Sequence, residues 1–197
     1  MVVASRNPGK ASELRRLLRA VPWRLLELEQ APGGQDIEWV ENGASYRENA
    51  SIKARAVSAG TGLPSLADDS GIEVPALGGW PGLHTARWMG EGATPMQLLR
   101  GLTERIATLP ESSRRATFVC ALALSVPRSG SAPLLIETES RLEGMLVTEP
   151  RGRRGFGYDP IFIPNGEQRT MAEMSQAHKD EISHRAMAAH QLLAKVL

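Results

Sequence analysis

Two adjacent acidic residues, Asp68 and Asp69, are the strongest candidates for chemistry in this sequence of 197 residues. They stand in the stretch SLADDSG at residues 65–71. Successive side chains of an extended strand point to opposite sides, so two such carboxylates at the end of a strand would have different roles. One could bind a hard cation, and the other could orient neighbouring groups or activate a water. The alternative is an Asx-turn on the surface, which is the commoner outcome for an isolated DDSG.

A second candidate is the segment SRNPGK at residues 5–10, between a short apolar strand and a helical segment. The backbone N–H groups and the positive dipole end of a helix N-terminus favour a phosphate, and Lys10 adds a full charge. The segment is not a Walker A loop, because Ala4 and Ala11 stand where that motif needs Gly and Ser or Thr. A plain Asn-Pro-Gly turn is the alternative.

The third candidate is the segment GFGYDP at residues 155–160. Its glycines let the backbone approach a flat ligand closely, and Phe156 or Tyr158 could stack on a base. A Gly-rich turn with its aromatic rings in the core is the alternative.

The fourth candidate is the run Ser183-His184-Arg185, which follows His178 and Lys179. At the start of a helix, with Ser183 as its N-cap, the His and Arg side chains can present donors to a carbonyl oxygen on a base. A solvated helix start with ordinary surface charge is the alternative.

Hydrophobic periodicity predicts the elements that position these groups. The predicted helices cover a segment around residues 14–18, then residues 45–59, 94–108 and a final stretch from about 183. The predicted strands cover residues 2–4, 23–28, a segment ending near 67, 72–74, 116–126, 134–146 and 161–163. In the final helix an apolar stripe leaves His184 and Arg185 to one side of the buried face. Strands and helices mixed in this way predict an α/β fold with a partly antiparallel sheet.

Composition bounds the class of protein. Hydrophobic residues at 42% and charged residues at 23% are typical of a globular protein. A formal net charge of +1 gives no general attraction to nucleic acid or to an anionic membrane. The single cysteine, Cys120, cannot form an internal disulfide and is predicted to be an inert core thiol. No apolar run is long enough for a membrane span and no secretory leader is recognisable, so we expect a cytoplasmic protein.

A phosphate cradle, a hard-metal carboxylate, an aromatic loop and base-reading donors are together the parts of a nucleotide-phosphate hydrolase. Their order resembles that of the inosine triphosphate pyrophosphatase family, also called non-standard purine NTP pyrophosphatases or XTP/dITP diphosphatases. The motifs that carry the resemblance are Ser5-x-Asn7-x-Gly9-Lys10, Glu48-Asn49-Ala50 with Lys53-Ala54, Ala67-Asp68-Asp69-Ser70-Gly71, Gly78-Gly79-x-Pro81-Gly82 with Ala86-Arg87, GFGYDPIF at residues 155–162, Ala172-Glu173-Met174, Lys179 and Ser183-His184-Arg185.

The resemblance implies a single bilobed domain over residues 1–197. It implies an elongated, twisted mixed sheet flanked by helices, with a substrate cleft between two lobes, in a homodimer. It also implies a Mg²⁺-dependent enzyme that hydrolyses ITP, dITP and XTP to the monophosphate and pyrophosphate and so clears them from the nucleotide pool.

The resemblance also assigns the site residues. It makes Asp69 the proton acceptor and a magnesium ligand, with Asp68 and Lys53 in support. The triphosphate would be held by Ser5, Arg6, Asn7, Pro8, Gly9 and Lys10. The rest of the substrate would be bound by Ser70, Phe156, Gly157, Tyr158, Asp159, Lys179, His184 and Arg185. One position departs from the pattern: Val40 stands where some relatives carry a second metal-site glutamate, and Glu38 or Glu41 would have to replace it.

Overall fold

A six-stranded mixed sheet is the framework of the computed structural model, which describes residues 1–90 and 92–197. The strands are β1 (Val2–Ala4), β2 (Leu26–Glu27), β3 (Ser65–Glu73), β4 (Arg115–Val126), β5 (Leu134–Leu146) and β6 (Phe162–Pro164). They lie in the order β2-β1-β3-β4-β5-β6. β1 pairs in parallel with β2 and β3, whereas β5 and β6 are antiparallel. The predicted α/β fold with a mixed sheet is therefore confirmed.

The described residues form five α-helices and six short 3₁₀ turns. The helices are α1 (Pro8–Leu17), α2 (Tyr46–Thr61), α3 (Pro95–Ala107), α4 (Gln176–Ile182) and α5 (His184–Val196). The 3₁₀ turns cover Leu28–Gln30, Gly34–Asp36, Pro75–Leu77, Gly82–His84, Glu111–Ser113 and Asp159–Ile161. None of the helices within residues 1–90 and 92–197 combines the length and apolar character that a membrane crossing requires.

Side-chain caps fix where α1, α2 and α3 begin. The side chains of Asn7, Ser45 and Thr94 accept from the backbone N–H groups of Lys10, Glu48 and Gln97 respectively. Each cap satisfies a donor that the first turn of a helix leaves without an intrahelical partner.

The prediction of a turn at residues 68–71 between two short strands is wrong. β3 runs without interruption from Ser65 to Glu73 and is buried along most of its length. The composition of DDSG favours a turn, but Asp68 and Asp69 both meet cationic side chains inside the fold. Because these partners offset the cost of burying the carboxylates, the backbone can stay extended.

The second strand is shorter than the predicted residues 23–28. Glu27 and Gln30 form a reciprocal capping box that starts a 3₁₀ turn at Leu28, and this ends β2 after two residues. α4 was not predicted at all; it has seven residues and begins after the N-cap Ser175.

The chain divides into two compact units with separate apolar cores. Unit 1 contains Met1–Asp69, Cys120–Ser140 and Arg185–Leu197, and unit 2 contains Ser70–Val119 and Arg141–His184. The core of unit 1 joins α1 and α5 to the sheet through residues that include Leu14, Leu66, Leu122 and Leu192. The core of unit 2 packs α3 against residues that include Ile72, Phe118, Ile161 and Phe162. A substrate cleft between two lobes stays a prediction.

Candidate active site

Asp68 lies at the centre of a buried ion-pair network in unit 1. Its Oδ1 is 2.6 Å from Nζ of Lys10, and its Oδ2 accepts from Nε of Arg185 at 2.9 Å. The thiol of Cys120 also donates to Oδ2, at an S···O distance of 3.1 Å. Burial would raise the pKa of Asp68, but the guanidinium of Arg185 and the ammonium of Lys10 hold it well below its usual value. Asp68 is therefore a permanent anion and a weak proton acceptor.

The network continues from Arg185 to a residue that the sequence analysis did not identify. Nη1 of Arg185 donates to Oε2 of Glu13 on α1 at 2.7 Å, and both side chains are almost completely buried. Two cations, Lys10 and Arg185, thus balance two anions, Asp68 and Glu13. The spacing in the sequence could have indicated this position. Glu13 lies three residues after Lys10 and four before Leu17, which places the three side chains on one face of α1.

The network lies in the interior of the fold and buries both Arg185 and Cys120. Arg185 does not lie to one side of the buried face; it is 1% exposed, because two carboxylates compensate its charge. Cys120 is buried as predicted. Burial and the nearby Asp68 raise the pKa of its thiol well above the ordinary value.

Asp69 meets a different set of groups. Nζ of Lys53, on α2, is 3.0 Å from Oδ1 of Asp69 and 3.1 Å from Oε1 of Glu41. Burial raises the pKa of Asp69, and the opposing charge of Lys53 does not cancel that rise. Burial would lower the pKa of Lys53, but Asp69 and Glu41 raise it, so the side chain stays an ammonium. Asp69 is consequently a stronger base than its neighbour Asp68.

Residues 5–10 lead into α1 and are not a plain turn. Asn7 is the N-cap, Pro8 is the first helical residue, and Oγ of Ser5 accepts from the backbone N–H of Asn7 at 3.2 Å. Arg6 donates to the carbonyl of Ile37 at 2.7 Å, and its guanidinium lies 4.4 Å from the ring centre of Trp39. The segment therefore presents the N-terminus of a ten-residue helix, as a phosphate site requires.

In unit 2 the candidate residues gather around Asp159. Its Oδ2 is 2.6 Å from Nζ of Lys179 and accepts from the backbone N–H of Phe156 at 2.8 Å. The Lys179 ammonium lies 4.9 Å from the centre of the Phe156 ring. Gly155 has a φ of +76°, and a Cβ there would lie 2.0 Å from Oδ2 of Asp159, so only glycine fits. Asp159, Lys179 and the half-buried ring of Phe156 thus form one group, with Gly157 beside it.

Tyr158 belongs to the core of unit 2 and is not a stacking surface. Its hydroxyl donates to the carbonyl of Thr85 at 3.0 Å and accepts from Nε1 of Trp88 at 3.0 Å. Burial raises the pKa of Tyr158 to about 12. The idea that this ring stacks on a base is therefore wrong, which leaves Phe156 as the aromatic candidate.

His184 and Ser70 complete the candidates in unit 2. His184 is 5% exposed, and its ring stacks on Phe118 with a centroid distance of 4.7 Å and an interplanar angle of 9°. The alternative of a solvated helix start is therefore wrong. Ser183 caps the C-terminal end of α4, immediately before α5 begins. Ser70 is half-buried and follows Asp69 on β3.

Two carboxylates of unit 1, those of Asp69 and Glu41, form a donor set that fits Mg²⁺. Within residues 1–90 and 92–197, no group of three His, Cys, Asp or Glu side chains is arranged around one point as a metal site. Asp69 and Glu41 nevertheless bring two carboxylate oxygens to one cation, Nζ of Lys53. Magnesium is commonly held by one or two carboxylates together with substrate phosphates and waters, so this pair fits it.

Known proteins with the same fold are similar to nearly the whole chain. A solved structure of a HAM1 protein from Coxiella burnetii matches with a TM-score of 0.83 and 38% identity, covering 99% of this chain and 96% of that one. The structure of the Staphylococcus aureus Ham1 protein matches with a TM-score of 0.83 and 31% identity, covering 99% of this chain and 96% of that one. A dITP/XTP pyrophosphatase of Frankia alni is 44% identical, covering 98% of this chain and 94% of the relative. The sequence model of the Ham1 family matches residues 1–195, and the chain therefore belongs to the Ham1 family.

Proposed function

We propose that this protein hydrolyses non-standard purine nucleoside triphosphates, namely ITP, dITP and XTP, to the monophosphate and pyrophosphate. Relatives that match nearly the whole chain at 44% and 43% identity are named dITP/XTP pyrophosphatases. Within the structure, the observation that carries the proposal is the pair of adjacent but unequal carboxylates, Asp68 and Asp69, each paired with its own lysine. Such a pair supplies one fixed anion and one base beside two positive charges.

In the proposed reaction Asp69 accepts a proton from the attacking water. The water oxygen forms a bond to the α-phosphorus, and the bond from that phosphorus to the bridging oxygen breaks, so pyrophosphate leaves with the electron pair. Lys10, Lys53 and the N-terminus of α1 stabilise the charge that grows on the phosphoryl oxygens. Asp68 holds Lys10 in place because it stays ionised.

Magnesium is part of the proposal, and Asp69 with Glu41 would hold it. When bound, it would neutralise charge on the phosphate oxygens. Omission of Mg²⁺ with a chelator present should abolish turnover; full activity without any divalent cation would remove the metal from the reaction.

Selectivity for the base is assigned to unit 2. Inosine and xanthosine present a 6-keto acceptor where adenosine presents a 6-amino donor, so a donor at this point favours the former. Arg185 already gives Nε and Nη1 to Asp68 and Glu13, so we assign the donor to His184, with Phe156 as the stacking ring. Replacing His184 by Ala should bring the kcat/KM values for ITP and ATP closer together. An unchanged ratio would place base recognition elsewhere.

Product analysis across ITP, dITP, XTP, ATP and GTP tests the proposal as a whole. The expected products are the monophosphate and pyrophosphate, with the non-standard purines preferred. Release of orthophosphate alone would instead indicate a phosphomonoesterase, and binding of ITP without turnover would indicate a nucleotide sensor.

The role of Asp69 has its own test. Asp69→Asn should lower kcat by roughly 10²- to 10⁴-fold with a small effect on KM, as expected for loss of a proton acceptor. Asp36→Asn, an exposed aspartate in a 3₁₀ turn, is the matched control and should leave both constants unchanged. Near-normal turnover of Asp69→Asn would exclude this residue from proton transfer.

Assembly and location complete the proposal. From the family resemblance we propose a cytoplasmic homodimer acting on the free nucleotide pool, as one bilobed domain. The net charge of +1 supports a free nucleotide over nucleic acid as the ligand. Light scattering on the purified protein would give the mass of the assembly, and a monomer at micromolar concentration would contradict the homodimer.

A further inference from the structure

We propose that unit 1 carries a second ligand site, a cavity at the amino ends of β1 and β3 that binds a small aliphatic carboxylate. This amino-end cavity is lined by residues that include Trp23, Arg24, Pro64, Leu124, Ile136 and Lys195. All of its lining residues belong to unit 1, and none of them is a residue of the candidate active site. The site therefore goes beyond the proposed function.

The amino-end cavity lies at the opposite end of the strands from the candidate active site. β1 and β3 are parallel, and Pro64, which lines the cavity, directly precedes β3. The backbone N–H of Val2 donates to the carbonyl of Pro64 at 2.8 Å, so both strands begin here. Asp68 lies four residues further along β3, which is about 13 Å of extended chain. The phosphate segment at residues 5–10 follows the carboxyl end of β1 and is therefore also remote from the cavity.

The size and walls of the cavity suit an apolar ligand. Its volume is about 580 Å³, within the range of small-molecule sites. Its walls include Leu124 and Val126 from the end of β4, Ile136 from β5 and Val196 from α5. These four residues belong to the apolar core of unit 1 or pack against it. Because the cavity exposes apolar surface to water, an aliphatic chain that fills it is stabilised by the hydrophobic effect.

The charged side chains at the cavity give it a single sign. Among the described residues that line it, Arg24 and Lys195 are the only charged side chains, and both are exposed to solvent. Nζ of Lys195 donates to the backbone carbonyl of Glu137 at 2.7 Å, which is a neutral acceptor. Neither cation forms an ion pair with a carboxylate in residues 1–90 or 92–197. An anionic group at the solvent side of the cavity would therefore be attracted by two positive charges.

The same lining favours an aliphatic acid over a nucleotide. Apart from the two cations, the only polar side-chain group on the walls is the indole N–H of Trp23. The edge of a nucleobase would leave donors and acceptors without partners there, and each such group is costly to bury. An aliphatic chain has no such groups, and the half-buried Trp23 ring offers it a flat apolar surface. A carboxylate head with an unbranched chain is thus the class of ligand that fits.

Titration of the full-length protein with sodium octanoate, followed by tryptophan fluorescence, tests the proposal. Saturable binding is expected, and its signal should be lost in Trp23→Phe. The Kd should fall about tenfold from hexanoate to octanoate, because two more CH₂ groups are buried. Octylamine has the same chain length and the opposite charge, and it should bind at least about tenfold more weakly than octanoate.

The two cations are tested by substitution. Arg24→Gln and Lys195→Gln should each raise the Kd for octanoate about threefold, and the double variant about tenfold, as for exposed charges. Arg55→Gln, an exposed arginine on α2 in the same unit, is the matched control and should change the Kd less than twofold. All of these variants should keep the kcat/KM of the unaltered protein for ITP.

Each contrary outcome overturns the proposal. Equal affinity for octanoate and octylamine, or an unchanged Kd in the double variant, would refute the anion site. A signal that persists in Trp23→Phe would place octanoate elsewhere. Absence of octanoate binding, with a dimer mass in light scattering that falls to a monomer in Leu134→Glu, would assign the cavity to a contact between two copies of the chain. Failure of the proposed function is distinguishable, because it would appear as absent pyrophosphate release from ITP whatever the result with octanoate.

Discussion

Replacing Glu13 by Gln should destabilise the protein much more than replacing an exposed glutamate. Gln keeps the size of the side chain and one oxygen acceptor for Nη1 of Arg185, but it removes the negative charge. The network would then hold two cations, Lys10 and Arg185, against Asp68 alone. An unbalanced positive charge would remain in a place where Arg185 has only 1% of its surface exposed.

The size of the expected loss in the free energy of unfolding follows from the burial of Arg185 and Glu13. Removing one partner of a buried ion pair costs about 3–5 kcal/mol, and the retained hydrogen bond places Glu13→Gln near the lower end, at about 3 kcal/mol. For a domain of this length that corresponds to a fall in Tm of roughly 6–12 °C. The exposed pair Arg100–Glu104, at 2.7 Å, gives the contrast, because both side chains are more than half exposed. Glu104→Gln should cost no more than about 0.5 kcal/mol.

Urea unfolding of the three proteins at 0.05 and 0.5 M NaCl is the assay. The penalty of Glu13→Gln should persist at high salt, because buried charges are screened little, whereas any penalty of Glu104→Gln should shrink. A loss below about 1 kcal/mol for Glu13→Gln, or one that disappears at 0.5 M NaCl, would refute the buried four-charge network as a source of stability.

The pKa of Tyr158 is raised to about 12 in the folded protein, against about 10 in the unfolded chain. The neutral phenol therefore contributes fully to the free energy of unfolding below pH 10, and this contribution is lost as the pH rises toward 12. Urea unfolding at several pH values should show that Tyr158→Phe loses about 2–3 kcal/mol less than the unaltered protein over that interval; parallel losses would refute the assignment. Gly155→Ala should weaken ITP binding, measured as a higher KM, because the new Cβ would strike Asp159. Gly166 also has a positive φ, but a Cβ there would meet open space. Gly166→Ala should therefore lower the free energy of unfolding in urea only by the backbone cost of about 1–3 kcal/mol. Equal KM values for the two variants would contradict this. Cys120, whose thiol pKa is raised well above normal, should resist a thiol reagent at pH 8 in the native protein and react fully in guanidinium; fast native labelling would mean that the site opens.

Local signals in the sequence were sufficient for the helices that have strong caps. Ser45 and Thr94 are the first residues of the predicted helices and are the N-caps of α2 and α3 in the structure. The bounds of β4 and β5 lie within one residue of the predicted ones. The caps depend on residues three apart and the strands on the pattern of neighbouring residues, so a single sequence contains the relevant information.

Contacts between distant residues account for the errors. Arg185 pairs with Glu13 across 172 positions and with Asp68 across 117 positions, and no local pattern reports either pairing. Without them, an arginine at the start of a helix is expected in solvent. The interpretation of DDSG as a turn was wrong for the same reason. Cationic side chains that are distant in sequence compensate the buried charges of Asp68 and Asp69, so the strand can stay extended.

The uninterrupted course of β3 is what makes the two aspartates chemically unequal. In a surface turn both carboxylates would be hydrated and would have similar pKa values. In the strand, Asp68 meets Arg185 and Lys10, which hold its pKa well below normal, while burial raises the pKa of Asp69 in spite of the nearby Lys53. One residue type thus yields a fixed anion and a base at adjacent positions, because alternation along a strand sends neighbouring side chains to opposite faces. The division of work proposed for catalysis depends on this backbone conformation as much as on the acids themselves.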